Sequence, residues 1–379
     1  MSLRYTGAWL QDGAFNPLVA PPPPSYLYNL YSWGYPYLGA MPLNTQTYYS
    51  SPVQVGSLTD WLIISANTYN GSAVKTNGTL WTWGRNQTGQ LGLGNSGAAF
   101  YYSSPKQVGS LTNWKTVSTA PNSVFGIKTD GTLWGWGSNS NGSLGLGNTT
   151  PYSSPKQVGS LTNWSQVTGG SSHTLAIKTD GTLWAWGFNS QGQLGTNNTT
   201  YYSSPKQIGA LTNWSIITAG YNCSYAIKTD GTIWSWGQNA YGALGLGNTT
   251  YYSSPKQIGV LTTWKNISSR YFTVLATQTN STLWSWGNNS YGQLGQGNTT
   301  AYSSPKQIGT LTAWANIAAG RFFSAATKTN GTLWTWGMNA YGQLGIGNTT
   351  YYSSPKQVGA KTNWGSVSNA NYVSLVLAY

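Results

Sequence analysis

The chain contains no glutamate, one cysteine and one histidine, and only 6% of its 379 residues are charged. Each shortage excludes something. With Cys223 alone no intramolecular disulfide can form, so the fold depends on burying apolar surface. Helical architectures are nearly excluded, because solvated helix faces need Glu and Lys, whereas this chain is rich in Gly (48), Tyr (27) and Trp (21). No apolar run approaches the length that spans a bilayer, and the opening MSLRYTGAWLQDG lacks the apolar core of an export signal, so neither membrane insertion nor export is expected. The 18 basic residues outweigh 5 acidic ones to give +13, yet no basic run reaches three. That dilute field argues against nucleic acid as the partner.

What is present is a repeat. Ser-Ser-Pro recurs with prolines at Pro52, Pro105, Pro155, Pro205, Pro255, Pro305 and Pro355, and Trp-x-Trp-Gly ends at Gly84, Gly137, Gly187, Gly237, Gly287 and Gly337. A partial copy, Tyr31-Ser32-Trp33-Gly34, precedes them, and three extra residues between Ser96 and Phe100 account for the one longer interval. Within the unit 153–202, four strands are expected: one following Pro155, then Trp164–Thr168, Thr174–Lys178 and Thr182–Trp186. The last two are joined through Asp180-Gly181, a strong hairpin signal because both residues tolerate positive φ. Four strands in each of seven units predict an all-β, seven-bladed β-propeller. The last unit stops at its hairpin turn, at Tyr379, and the missing fourth strand is expected from Leu30 to Gly34, splitting one blade between the termini.

Residues 28–379 are thus assigned to the propeller and residues 1–27 to an N-terminal arm. Pro21–Pro24 in that arm favour a stiff polyproline II segment. Trp9, Leu10 and Phe15 are its candidate anchors for docking on another subunit.

Gly-Thr-Leu-Trp-x-Trp-Gly followed by Asn-x-x-Gly-Gln-Leu-Gly, as in Gly181–Gly195 and Gly331–Gly345, resembles the regulator of chromosome condensation repeat. The resemblance spans residues 28–379 and implies a seven-bladed propeller of four-stranded blades. It implies little about function, since that family includes exchange factors, photoreceptors, ubiquitin-ligase modules and an inhibitory protein. The family's Gly-x-x-His element survives only at Gly170–His173; the matching positions hold Asn70, Ser123, Cys223, Thr273, Phe323 and Val373.

Chemistry-bearing groups are scarce. His173 and Cys223 occupy equivalent positions in adjacent units, but no third group orients a base, and zinc would need more ligands. Asp130, Asp180 and Asp230 fill a turn position held elsewhere by Asn77, Asn280 and Asn330, which points to turn geometry rather than charge. The glycine-rich segments lack the Lys-Ser/Thr of a phosphate-binding loop. Neither catalytic residues nor a metal nor a cofactor is expected.

Comparing the units of this one chain separates constant from variable positions. The three residues after the second strand read Thr68-Tyr69-Asn70, Pro121-Asn122-Ser123, Ser171-Ser172-His173, Tyr221-Asn222-Cys223, Tyr271-Phe272-Thr273, Arg321-Phe322-Phe323 and Asn371-Tyr372-Val373. The position after Trp-x-Trp-Gly carries Tyr35, Arg85, Ser138, Phe188, Gln238, Asn288 or Met338. In an antiparallel blade both sets emerge on one side. Tyr69, Arg85, Asn122, Phe188, Tyr221, Tyr271, Phe272, Arg321, Phe322, Phe323, Met338 and Tyr372 are therefore the candidate contact residues.

The recurrent tryptophans are read as packing between blades. Tyr102, Tyr152, Tyr202, Tyr252, Tyr302 and Tyr352, with Lys106, Lys156, Lys206, Lys256, Lys306 and Lys356, form an exposed ring suited to an anionic surface or a host glycan. These features favour a non-enzymatic binding or structural propeller. The expected setting is an exposed bacteriophage virion component, a tail host-recognition or capsid decoration protein touching other virion or surface proteins, or otherwise the cytoplasm. The alternatives are a regulatory adaptor or exchange-factor-like protein, and a secreted inhibitor or lectin.

Overall fold

A computed structural model describes residues 28–97 and 100–379. Its strands form seven four-stranded antiparallel sheets. Blades one to six occupy residues 61–107, 114–157, 164–207, 214–257, 264–307 and 314–357, and blade seven joins 364–378 to 29–54. In blade three the order from the axis outward is Trp164–Gly169, His173–Lys178, Leu183–Gly187 and Tyr202–Gln207. The seven-bladed propeller predicted from the repeats is present.

The grouping of strands differs from the sequence expectation. Each Ser-Ser-Pro strand is the outer strand of the preceding blade: Tyr152–Gln157 pairs with Leu133–Gly137, not with Trp164–Gly169. Proline cannot donate to a ladder and is confined to edges and bulges. Pro155 lies between the paired residues Tyr152↔Gly137 and Lys156↔Gly135, where the register shifts. The split blade consequently closes two strands against two. Asn29–Gly34 pairs with Val373–Ala378, and Tyr49–Gln54 adds outside it, so the N-terminal side contributes two strands rather than one.

The turn reading holds in detail. Asp180 Oδ1 accepts from the Thr182 amide at 2.9 Å and from its hydroxyl at 2.7 Å, and Asn280 Oδ1 does the same for Thr282 at 3.1 and 2.7 Å. Charge is dispensable because both side chains offer the same acceptor.

Neighbouring blades are stapled by the second Trp of each Trp-x-Trp-Gly. The indole N–H of Trp83, Trp136, Trp186, Trp236, Trp286, Trp336 and Trp33 donates to the carbonyl of Ala40, Gln90, Ser143, Gln193, Ala243, Gln293 and Gln343, all at 2.8–3.1 Å. All seven rings are fully buried. The glycine closing Gly-x-Leu-Gly explains itself here: at Gly195, with φ +73°, a Cβ would lie 2.7 Å from Trp236 Nε1. The innermost strands face the axis as open edges. Ser65, Thr218, Ser268 and Ser368 close them by accepting from the amides of Thr119, Ser269, Ala319 and Ala66 at 2.9–3.3 Å.

In five blades the first Trp of the motif is half-buried under a lysine, whereas blade five has Gln278 at that position. Lys75, Lys128, Lys178, Lys228 and Lys328 hold Nζ 3.6–5.1 Å from the centroids of two indoles each. Burial pulls the ammonium groups of Lys128, Lys178, Lys228 and Lys328 below their ordinary value. Blade seven has Ala378 at the lysine position, and the cation arrives from elsewhere: Lys361 lies 4.3 Å from the Tyr31 ring and 5.4 Å from that of Trp364. Other units carry leucine there, as at Leu311. Restoring the repeat residue should therefore hurt. Lys361→Leu is expected to lower stability by about 0.5–1 kcal/mol, read as a lower Tm; a higher Tm would remove the compensation argument.

Candidate functional site

Both variable sets do lie together. The amide of Arg85 donates to Tyr69 O at 3.0 Å, Ser138 to Asn122 O at 2.8 Å, and Phe188 to Ser172 O at 2.9 Å. The same bond links Gln238 to Asn222, Asn288 to Phe272, Met338 to Phe322 and Tyr35 to Tyr372, at 2.9–3.0 Å. The loop between the first and second strands of every blade is thus tied to the loop leaving its third strand, on one face.

Phe323 does not belong to that face. It is fully buried, begins the strand Phe323–Lys328 and pairs with Gly337. The third residue of every variable triplet starts the second strand and points inward, as His173 and Cys223 also do. Gly170 must lack a side chain because a Cβ would sit 2.1 Å from His173 Cε1, and at Gly220 one would sit 2.5 Å from Cys223 Sγ. Gly-x-x-His is therefore a packing unit here.

The other aromatic candidates, with several unforeseen rings, form a continuous crescent. From blade four it runs Tyr241–Phe272 (centroids 5.9 Å), Phe272–Tyr221 (6.1 Å) and Tyr221–Tyr271 (5.0 Å, stacked). Arg321 bridges to blade six, its guanidinium 4.2 Å from the Tyr271 ring and 4.5 Å from Phe322, with Nη1 donating to Tyr271 Oη at 3.1 Å. The line continues through Phe322–Tyr372 (5.8 Å), Tyr372–Tyr341 (5.4 Å), Tyr341–Tyr35 (4.7 Å), Tyr35–Tyr37 (5.9 Å) and Tyr37–Tyr69 (5.5 Å). Arg85 ends it over Tyr69 at 5.5 Å. Tyr37, Tyr221 and Tyr241 are 46%, 40% and 53% exposed, so much of the ring surface meets solvent. Burial holds the Tyr372 phenol above its ordinary value.

Phe188 stands apart, edge-on to Tyr201 in blade three at 4.9 Å, and Asn122 lies in the polar sector of blade two. Met338 is half-buried and joins the crescent face through Phe322 O alone. Tyr241 and Tyr341 are not among the sequence candidates, although a signal exists: the residue before the glycine in Asn-x-x-Gly is Thr88, Asn141 and Gln191 in three units and Tyr241, Tyr291 and Tyr341 in the next three. Arg270 was also missed. It is buried at the end of its blade's innermost strand and its Nη1 reaches across to Ala66 O of blade one at 3.1 Å.

Charge divides between the faces. Asp130, Asp180 and Asp230 sit in turns on the far side, and Asp60 is there too, 3.1 Å from Lys75 Nζ. Among the described residues the crescent face carries arginine and no carboxylate. The tyrosine ring predicted to be exposed is instead half-buried: Lys156 lies 5.5 Å over Tyr152, and Asn148 Nδ2 donates to its hydroxyl at 3.3 Å.

The buried pair offers no catalytic dyad. Ser224 Oγ donates to Gln193 O at 2.7 Å, so His173 Nε2, 3.0 Å away, must donate to Ser224 and leave Nδ1 bare. Burial holds that imidazole down to about 3 and pushes the Cys223 thiol up to about 11. At neutral pH one is uncharged and the other protonated. No three His, Cys, Asp or Glu side chains among the described residues gather as metal ligands, and no helix there is long and apolar enough to cross a membrane. The docking arm with Trp9, Leu10 and Phe15 lies outside the described residues.

Fold and face together define a repeat propeller with a uniform scaffold and one diversified, aromatic loop surface. The chain belongs to the regulator of chromosome condensation family: residues 28–270 match the RCC1-like domain, and residues 280–327 and 330–377 match the RCC1 repeat. It is similar to the ultraviolet-B receptor of Arabidopsis thaliana, 30% identical over 125 residues, covering 32% of this chain and 28% of that protein. Protein RCC2 of Homo sapiens is 37% identical over 79 residues, 20% of this chain and 15% of the relative. The matched stretch thus spans less than a third of each curated relative. Among solved structures, Prp20p of Saccharomyces cerevisiae, described with its binding properties to Gsp1p and histones, superposes with TM-score 0.81 at 19% identity, covering 93% of this chain and 92% of that one. Human WBSCR16 gives the same TM-score and identity, covering 93% and 98%. At such identities these two likenesses concern the fold alone.

Proposed function

We propose that the chain is a non-enzymatic, protein-binding propeller of the regulatory-adaptor kind, and that the crescent receives an extended segment of its partner. The carrying observation is a run of aromatic rings through five blades, joined between Tyr271 and Phe322 by the Arg321 guanidinium. Exposed tyrosines held by stacking lose little freedom on contact and offer both apolar area and hydroxyls. Membership in the family supports a binding propeller of this kind. A glycan ligand is the second reading, since stacked tyrosines also suit sugar rings, but the arginines add charge that a neutral glycan does not use.

A peptide selected from a displayed random library against the full chain tests this. Tyr271→Ala, Phe322→Ala and Tyr372→Ala are each expected to weaken its binding by about 30-fold, the loss typical of a central anchor, measured by calorimetry. Phe323→Ala is unsuitable because it empties the core. Unchanged affinity in all three variants would falsify the crescent as the site.

A further inference from the structure

We propose that the face opposite the crescent docks on an anionic lipid bilayer, its apolar loop tips entering the headgroup layer while lysines meet the anionic headgroups. The apolar part is a ring made by the repeat. The loop that leads each outer strand into the next blade's innermost strand presents Leu58, Leu111, Leu161, Leu211, Leu261 or Leu311, each 45–51% exposed. Lys361 takes the seventh place. These loops lie against the hairpin turns of the far face: a Cβ on Gly131 would strike Thr162 O, and one on Gly231 would strike Thr262 O. One tip stands out. Val260 precedes Leu261 and is 86% exposed, at a position filled in other units by Ser57, Ser110, Ser160, Ala210, Thr310 or Ala360. Moving such side chains from water into hydrocarbon is favourable, and seven of them share one face.

Charge supplies the second argument. All fourteen lysines of the chain lie on this half of the propeller, eight where strands and loops reach the far face and six on the outer strands. Four aspartates share that half, so lysine is in clear surplus, whereas the described arginines, Arg85, Arg270 and Arg321, belong to the crescent side. The Val260–Leu261 tip sits between Lys256 and Lys265 in the chain, both exposed. Asp230, the carboxylate in the turn beside it, points Oδ1 at Thr232 and is outweighed by Lys228, Lys256 and Lys265. Each lysine near an anionic leaflet adds to the attraction.

The form of the surface selects a bilayer over other anionic partners. A protein partner needs a continuous apolar core within about 800 Å² a side, and tips on separate loops, parted by polar turns, do not make one. Phosphates of a nucleic acid would leave the leucines and Val260 unused. A fluid bilayer receives each tip separately, and lysine stems lie along the acyl boundary with their charges among the headgroups. The crescent then faces away from the membrane, open to its own partner.

Flotation of the full chain with vesicles tests the proposal. Vesicles of phosphatidylcholine containing a third phosphatidylserine should carry the chain, and vesicles of phosphatidylcholine alone should carry about tenfold less. Val260→Asp with Leu261→Asp should lower partition by about tenfold or more, with Tm and library-peptide binding at the crescent unchanged. Lys256→Gln with Lys265→Gln keeps the apolar tip and should lower partition by about fivefold or more. Ser140→Asp with Asn141→Asp makes the same charge change as the tip variant on the crescent side and should lower partition less than about twofold. No preference for phosphatidylserine, partition indifferent to the tip variant, or equal losses in the tip and crescent-side variants overturns the proposal. Heparin bound as well by the tip variant as by the parent, with vesicle binding equally unaffected, marks a general polyanion surface and also overturns it. None of these results bears on the crescent, which library peptides report separately.

Discussion

Trp33→Ala lowers the stability of the chain by about 3–5 kcal/mol in denaturant unfolding, the range for emptying a buried Trp site. The indole is fully buried among Ala318, Leu333, Val358, Val367 and Val376, and its N–H donates to Gln343 O of blade six at 2.9 Å. Truncation removes one of that carbonyl's two donors, the Ser374 hydroxyl remaining at 3.1 Å, so the loss comes chiefly from the emptied site. Trp33 also differs from its six counterparts, because its strand reaches blade seven from the other end of the chain. Loosening it opens the ring into a linear array, so the slope of the transition should fall along with its midpoint. Trp184→Ala is the control: that ring is half-buried and its N–H partner is the nearby Thr182. Equal, small losses at both positions would refute the closure argument.

The second large effect is acid sensitivity from one residue. His173 has an ordinary value of 6.5 and is held at about 3 in the folded chain by burial. A group whose native value lies below its unfolded value binds protons first in the unfolded chain, so stability is intact above pH 6.5 and falls as pH drops below it. By pH 4.5 the loss is about 2–3 kcal/mol. Hydrogen bonds to Thr132, Thr182 and Thr232 hold the carboxyls of Asp130, Asp180 and Asp230 below 3.8, so their contribution disappears only at lower pH and leaves the window between to the histidine. His173→Phe should flatten the Tm profile in that window while preserving the fold, since Phe323 already sits three residues after Gly320 in the same geometry. A variant that loses Tm as steeply as the parent between those values would exclude His173 as the cause.

Much of the architecture was legible because each signal is local. Trp-x-Trp-Gly, the Asx turn and the fifty-residue spacing name strands and turns within a single unit. Phe323 shows where that stops: its position in the triplet after Arg321 and Phe322 reads as loop, yet it begins the strand Phe323–Lys328 and turns into the core. Arg270 was invisible because its partner, Ala66, lies 204 residues away across the axis. Lys361 reads as a lapse in the repeat until Ala378 is seen beside it in space.

From the sequence alone came the number of blades, the identity of most strands, the division of one blade between the chain ends and the side on which the variable loops emerge. Those follow from periodicity and antiparallel alternation, which act over a few residues. Tertiary structure decided which blade each Ser-Ser-Pro strand joins, because the strands before and after it are both near in the chain and only the proline's missing donor and the edge geometry select between them. It also decided that scattered tyrosines become one surface. Their contacts cross blade boundaries, and ring closure brings Tyr35 against Tyr341 from opposite ends of the chain.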